Sequence, residues 1–307
     1  MTRPILAAFD PHSQDSTPAR FALAAARFTG SPVVVVSACA TPVAAAYPMP
    51  RDEDLPSYAQ AALESLESEL DAGDVAVEYR TVRGPSVSWA LHKAAERTDA
   101  SVLVVGSTNR GVAGRVLPGS TAERLMQGSP CPIVVVPRGW SEGALRTIGV
   151  AYVDTEEGRN ALRAAYELAR RAGATLRVLT VAKVGSTAHG ETATRHPGQR
   201  GTLFYEVEGE QRLRTEAAVR AAVSELGDDV TVEVDAFLED TAEVLIRVSE
   251  HLDLLVCGSR GYGPLRAVLL GGVTRRVTAA AKCPVLVLPR GLGFVVSPAQ
   301  AEQPTTA

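Results

Sequence analysis

The sequence predicts an α/β protein: two tandem domains, each a doubly wound, open, parallel sheet of five strands. Three observations predict it. First, the chain repeats itself. Residues 106–139 and 258–291 align without a gap at a constant offset of 152, with 13 of 34 positions identical. That period is the length of a domain, far beyond the 20–50 residues of a solenoid repeat. Second, short apolar, β-branched runs alternate with longer Ala/Leu/Glu/Arg stretches, the pattern of right-handed βαβ units. Third, the runs do not alternate apolar with polar. Val33–Val36 is four valines in a row, which suits strands covered on both faces.

The elements follow in order. In the first half, strands are expected over 4–9, 32–38, 75–82, 101–105 and 132–136, with helices over 18–28, 57–71, 86–97 and 120–127. In the second half, strands are expected over 147–153, 175–181, 230–237, 253–257 and 284–288. Its helices are expected over 156–172, 207–226, 241–250 and 273–281. Thr17-Pro18 reads as an N-cap with proline at the first helical position. Thr155 precedes Glu156 and Glu157, which set negative charge in a first turn. Gly128 and Gly173 stand just past helix ends, where a left-handed residue is wanted. Residues 138–146 read as the linker. The domains are then 1–140 and 145–292, with a disordered tail over 293–307. Irregular inserts at 40–56 and 183–203 read as surface loops.

Bulk properties narrow the function. The 307 residues are 46% hydrophobic, enough for two cores, and the net charge is −4 with a pI near 5.8. That balance argues against a nucleic-acid partner. No secretory signal and no 18-residue apolar span occurs, so a cytoplasmic protein without a membrane partner is expected. Cys39, Cys131, Cys257 and Cys283 make no metal-type spacing and read as buried or half-buried free thiols in a reducing compartment. His189 and His196 share one insert without forming a metal motif. No nucleophile–base arrangement is apparent.

The functional signal is a glycine-rich loop in each half, between the end of the fourth strand and the start of a helix. Ligands of open α/β sheets bind beyond the carboxyl ends of the strands. A helix start offers unpaired N–H groups to an anion, and glycine lets backbone approach closely. Together these read as a phosphate cradle; the alternative is a merely tight turn. There is no P-loop motif and no dinucleotide fingerprint in the first strand–helix turn. Arg110, Arg115, Arg260 and Arg266 lie within the loops, either to meet phosphate charge or as surface residues. Trp89 and Trp140 read as packing residues.

Both halves resemble the universal stress protein family almost end to end. Its nucleotide-binding members carry G-x-x-G-x9-G-[S/T] after the fourth strand. The second half has Gly258, Gly261 and Gly271, but Gly272 where Ser or Thr is expected. The first has Gly106, Gly119 and Ser120, with Asn109 for the second glycine; Asn tolerates left-handed backbone. The resemblance implies a Rossmann-like, adenine nucleotide alpha hydrolase-like fold packed as a pseudo-symmetric dimer. It implies an adenine nucleotide, ATP, with Mg²⁺ as its companion ion, and little or no turnover. In the first half the implied site comprises Asp10, Ala38, Gly106, Ser107, Asn109, Arg110, Gly119, Ser120 and Thr121. In the second it comprises Asp154, Val181, Gly258, Ser259, Gly261, Gly263, Gly271, Gly272 and Val273. Asp10 and Asp154 would take the ribose, or else cap the following turn. Backbone near Ala38 and Val181 would meet adenine. The rival readings are a nucleotide-free interaction module and a slow ATP hydrolase. The tandem chain supplies its own pseudo-dimer partner, with a homodimer as a further assembly.

Overall fold

The computed structural model describes residues 2–40, 57–107, 121–181, 213, 216–237, 239–258 and 271–289. The first half contains β1 (Ile5–Phe9), α1 (Thr17–Thr29), β2 (Val33–Ala40), α2 (Ser57–Glu69), β3 (Val77–Gly84), α3 (Val87–Arg97), β4 (Val102–Gly106), α4 (Thr121–Met126) and β5 (Ile133–Val136). The second contains β6 (Thr147–Tyr152), α5 (Glu156–Ala172), β7 (Thr175–Val181), α6 (216–224), β8 (Val232–Phe237), α7 (Thr241–Val248), β9 (Leu254–Gly258), α8 (Gly272–Ala280) and β10 (Val285–Leu288). Of the helix expected over 207–226, only residue 213 and residues from 216 on are described.

All ten strands join one sheet in the order β3-β2-β1-β4-β5-β10-β9-β6-β7-β8. Within each half every pairing is parallel. At the junction β10 pairs with β5 antiparallel, Leu286 opposite Val134. The order reverses between β1 and β4, and again between β6 and β9. These are the topological switch points where ligands of such sheets bind.

The unbroken apolar runs are explained by two helical layers. Ala22 and Leu23 of α1, Leu63 and Leu66 of α2, and Leu162 and Ala165 of α5 cover one face of the sheet. Leu91 of α3, Leu125 of α4, Leu245 of α7 and Val277 of α8 cover the other. Both layers run across the junction. Val134, Val136, Leu286 and Leu288 lie in one, and Ile133, Val135, Val285 and Val287 in the other. Burying each such side chain contributes about 1.5–3 kcal/mol.

Thr155 does cap α5: its hydroxyl accepts from Gly158 N–H at 3.1 Å. Gly173 closes that helix at φ 62°. Two expected caps differ. The N-cap of α1 is Ser16, one residue early, and its side chain makes no capping bond. Asp15 does that work instead, accepting from Thr17 N–H and from its hydroxyl. Gly128 is not left-handed. The short α4 ends at Met126, and Gly128 N–H bonds Leu125 O inside a turn, so no residue must cross to positive φ. The linker is docked on the first half. Trp140 packs edge-on against Phe21 of α1 at 5.1 Å, and Glu142 receives both bonds of Arg27 Nη1 at 2.9 Å.

All four cysteines are buried. Burial pushes the Cys131 thiol up to about 11, and those of Cys257 and Cys283 up to about 12. They stay protonated at neutral pH, which removes them as nucleophiles. The described residues contain no cluster of metal-ligating side chains and no helix long and apolar enough to cross a membrane. The insert residues 41–56 and 183–203, His189, His196, Arg110, Arg115, Arg260, Arg266 and the tail lie outside the described residues.

Candidate functional site

The carboxyl ends of β2, β1 and β4 lie side by side, and so do those of β7, β6 and β9. This juxtaposition brings together Ala38, Asp10 and Gly106 in the first half, and Val181, Asp154 and Gly258 in the second. Thr121 opens α4; Gly271, Gly272 and Val273 open α8. Asn109, Arg110, Gly119, Ser120, Ser259, Gly261 and Gly263 lie outside the described residues.

Asp10 follows directly on β1 and is exposed. Its Oδ1 accepts from His12 N–H at 3.0 Å, an Asx turn that orients the carboxylate. The loop then turns through Gln14 at φ 50° to Asp15. Beyond it, His12 Nε2 lies 3.1 Å from the hydroxyl of Tyr58, in the first turn of α2. Asp15 was not read as a site residue, yet its Oδ2 lies 3.6 Å from where a Cβ on Gly106 would stand. The signal for it was present in Asp15-Ser-Thr-Pro, a capping sequence.

Asp154 is placed differently. Sheet register matches Ile5 with Ile148: each is the first paired residue beside the fourth strand, opposite Val102 and Leu254. The burial sequence along 5–9 recurs along 148–152. The counterpart of Asp10 is therefore Val153, and Asp154 stands one residue further on. Aligning the two halves on their aspartates misses this slip. Asp154 Oδ1 accepts from Arg159 Nε at 3.1 Å, from Arg159 Nη2 at 2.7 Å and from the Tyr152 hydroxyl at 3.4 Å. The bonds that Arg159 donates to Asp154 hold its guanidinium above its usual range. Burial, with Asp154 adding to it, raises the Tyr152 phenol. Arg159 gave no signal in the sequence.

The glycines that open the loops have packing reasons of their own. A Cβ on Gly258 would lie 2.9 Å from the Glu157 carbonyl oxygen, in the first turn of α5. On Gly106 it would meet the Pro18 ring at 3.2 Å. Both are places where the first helix of the half crosses its fourth strand. Ser107 is buried and already bonded: its N–H donates to Val136 O at 2.9 Å, and its hydroxyl accepts from Arg138 N–H at 3.1 Å. Gly272 is the opposite case. It is exposed, and a Cβ there meets nothing within 4 Å. Ala38 is not the end of its strand; β2 continues to Ala40, and Ala38 pairs with Val82. Val181 does end β7, opposite Phe237.

The family model described as "Universal stress protein family" matches residues 1–137 and again residues 144–289. The chain belongs to the universal stress protein family. A universal stress protein of Mycobacterium tuberculosis is 30% identical over 221 residues, covering 71% of this chain and 74% of the relative. A second protein of that name from the same organism is 28% identical over 194 residues, 62% of each chain. Among solved structures, a universal stress protein from Archaeoglobus fulgidus superposes with a TM-score of 0.62 at 17% identity, covering 94% of this chain and 96% of that one. A Pseudomonas aeruginosa chain solved under the same family name gives 0.64 at 18%, covering 94% and 93%. At these identities the likeness speaks for the fold alone.

Proposed function

We propose that this universal stress protein binds an adenine nucleotide, ATP, as a regulatory ligand, one site to each half, with little or no turnover. One observation carries the reading. A glycine-rich segment recurs in register in both halves, each time from the end of the fourth strand to the start of a helix, at a switch point of the sheet. Phosphate would lie along those segments and the starts at 119–121 and 271–273, met by backbone N–H groups. Ribose would lie at the strand-end carboxylate. Asp10 suits that role: it is exposed, and its turn presents the carboxylate at the rim. Mg²⁺ would ride with the nucleotide. Fast phosphoryl transfer needs a positioned metal, a water-orienting group and charge stabilisers together, and the described rim offers no such set. Domains 1–140 and 145–292 would act as an intramolecular pseudo-dimer in the cytoplasm; the β5–β10 pairing supports that arrangement.

One finding favours a second reading, a nucleotide-free interaction module. Gly106 and Gly258 are accounted for by helix packing without any ligand. Mass spectrometry of small molecules released from the denatured, purified chain separates the two. ATP or ADP in the released fraction, with titration of the emptied protein by ATP, is the expected result. An empty protein that gives no heat with ATP would sink the nucleotide reading. Steady ADP release would replace it with a slow hydrolase.

A further inference from the structure

The pairing of the two last strands is self-complementary. Val134 faces Leu286, Val135 faces Val285 and Ile133 faces Val287. Under the repeat offset of 152, Leu286 is the counterpart of Val134, Val285 that of Ile133, and Val287 that of Val135. One residue meets its own counterpart and its neighbours exchange partners, which is the pattern of an isologous two-fold contact. The ladder bonds are made by backbone, and all six residues are apolar. Nothing in the strands prefers first-with-second pairing over first-with-first pairing between two copies of the chain.

The adjoining helices do carry a preference. Glu123 of α4 and Arg275 of α8 are counterparts at the same offset, and they meet: Arg275 Nη1 lies 3.8 Å from Glu123 Oε1. Counterparts that meet lie on the two-fold axis. The Glu123 side chain is only 10% exposed and that of Arg275 48%. In a like-with-like pairing, Glu123 would face a second Glu123 and Arg275 a second Arg275. A carboxylate only 10% exposed that faces its own kind exchanges the attraction of Arg275 for repulsion by a like charge.

We propose that Glu123 and Arg275 form a charge code that selects pairing of the first half with the second and rejects pairing of like halves, so that the chain closes on itself. The proposal stands whether or not a nucleotide binds.

Charge reversal in the full-length chain tests it. Glu123→Arg and Arg275→Glu are made singly and together, and melting and sedimentation velocity are followed at low and high salt. Each single reversal is expected to lower the midpoint by about 3 °C and to raise self-association at low salt. Salt should shrink both effects by screening. The double reversal should return both readings to wild type. Glu123→Gln, which keeps the shape, should fall between wild type and Glu123→Arg. A double reversal as impaired as the two singles summed would overturn the proposal. So would single reversals indistinguishable from wild type, or a Glu123→Gln loss as large as that of Glu123→Arg.

Discussion

The crossover from first strand to first helix takes seven residues, 10–16, in the first half and three, 153–155, in the second. Both crossovers deliver a helix to the same face of the sheet, beside the same strand. The short one presses the helix onto the strand end. There the Glu157 carbonyl crowds Gly258, and Gly158 lies so close to the Val153 carbonyl that a Cβ would stand 1.9 Å from its oxygen. It also sets Asp154, itself exposed, in an ion pair with Arg159. The long one stands off. It sets the Pro18 ring and Asp15 Oδ2, both side-chain atoms, over Gly106 and leaves Asp10 exposed at the rim with its Oδ1 accepting from His12 N–H. Two copies of one domain can thus share sheet, layers and loop positions, yet differ at the rim because of one loop length.

The largest test of this contrast is steric. Gly→Ala inside a helix usually gains about 1 kcal/mol. For Gly158→Ala we expect the reverse, a loss of about 3 kcal/mol in urea denaturation, because the added Cβ must move main chain. Gly258→Ala should cost about 1–3 kcal/mol, since its neighbour is also a carbonyl. Gly106→Ala meets a proline ring that can shift by a few tenths of an ångström, and should cost under about 1 kcal/mol. Equal losses at positions 106 and 258 would break the comparison. The same series shows that alanine at Gly258 is a poor probe of ligand binding, because it strains the protein first.

A binding test comes next. If the nucleotide reading holds, Asp10→Ala should weaken ATP by about 1–3 kcal/mol, the cost of losing bonds to a charged acceptor. Asp154→Ala should cost clearly less at its own site, because Arg159 already occupies that carboxylate. An ATP analogue lacking the ribose hydroxyls should be nearly indifferent to Asp10→Ala. Two-site titration of both variants gives the answer. Equal losses would mean that Arg159 releases Asp154 on binding.

Much of this was legible beforehand, and the particulars show why. The valine run 33–36 suits a strand covered on both faces, and it forms one. The helix over 156–172 declares both its ends, by Thr155 and by Gly173. The rim was legible as a place but not in detail. Sequence alignment of the halves locks onto the shared aspartates, whereas sheet register is set by Ile5 and Ile148, which carry no chemistry. The packing role of Gly258 depends on a main-chain oxygen that is distant in the chain. The opposition of Glu123 and Arg275 is visible at the repeat offset, but it has no meaning until β5 and β10 are known to pair.

A smaller effect sharpens the comparison at the helix starts. Gly272 is exposed with open space at its Cβ position, so Gly272→Ser adds a hydroxyl without a clash. The second site should then tighten several-fold, about 0.5–1.5 kcal/mol for one hydrogen bond. The first site should not change. Unaltered titration of a folded Gly272→Ser chain would show that the hydroxyl of Ser120 has no part in the difference between the sites.

The smallest expected effect concerns how the two first helices end. In α5 the Glu167 carboxylate accepts from Arg170 Nε and Nη2, both at 2.9 Å, and from Arg171 Nε at 2.6 Å. The bonds from Arg170 come first among the causes that hold its pKa down to about 2, against 4.5 ordinarily. In α1 the last-turn Arg27 turns outward to Glu142 of the linker. A carboxylate with a lowered folded pKa adds stability above its unfolded pKa, and that stability is lost as pH falls through the folded one. The gain from Glu167 is therefore full above about pH 4.5 and drains away toward about pH 2. It is modest, under about 1 kcal/mol, because the groups lie at the surface and water screens them. Glu167→Gln should be slightly less stable than wild type at neutral pH, and the two urea curves should converge on acidification through that window. A gap that widens with acid would mean that Glu167 is worth more protonated than charged, and that α5 is held at its end by something other than these arginines.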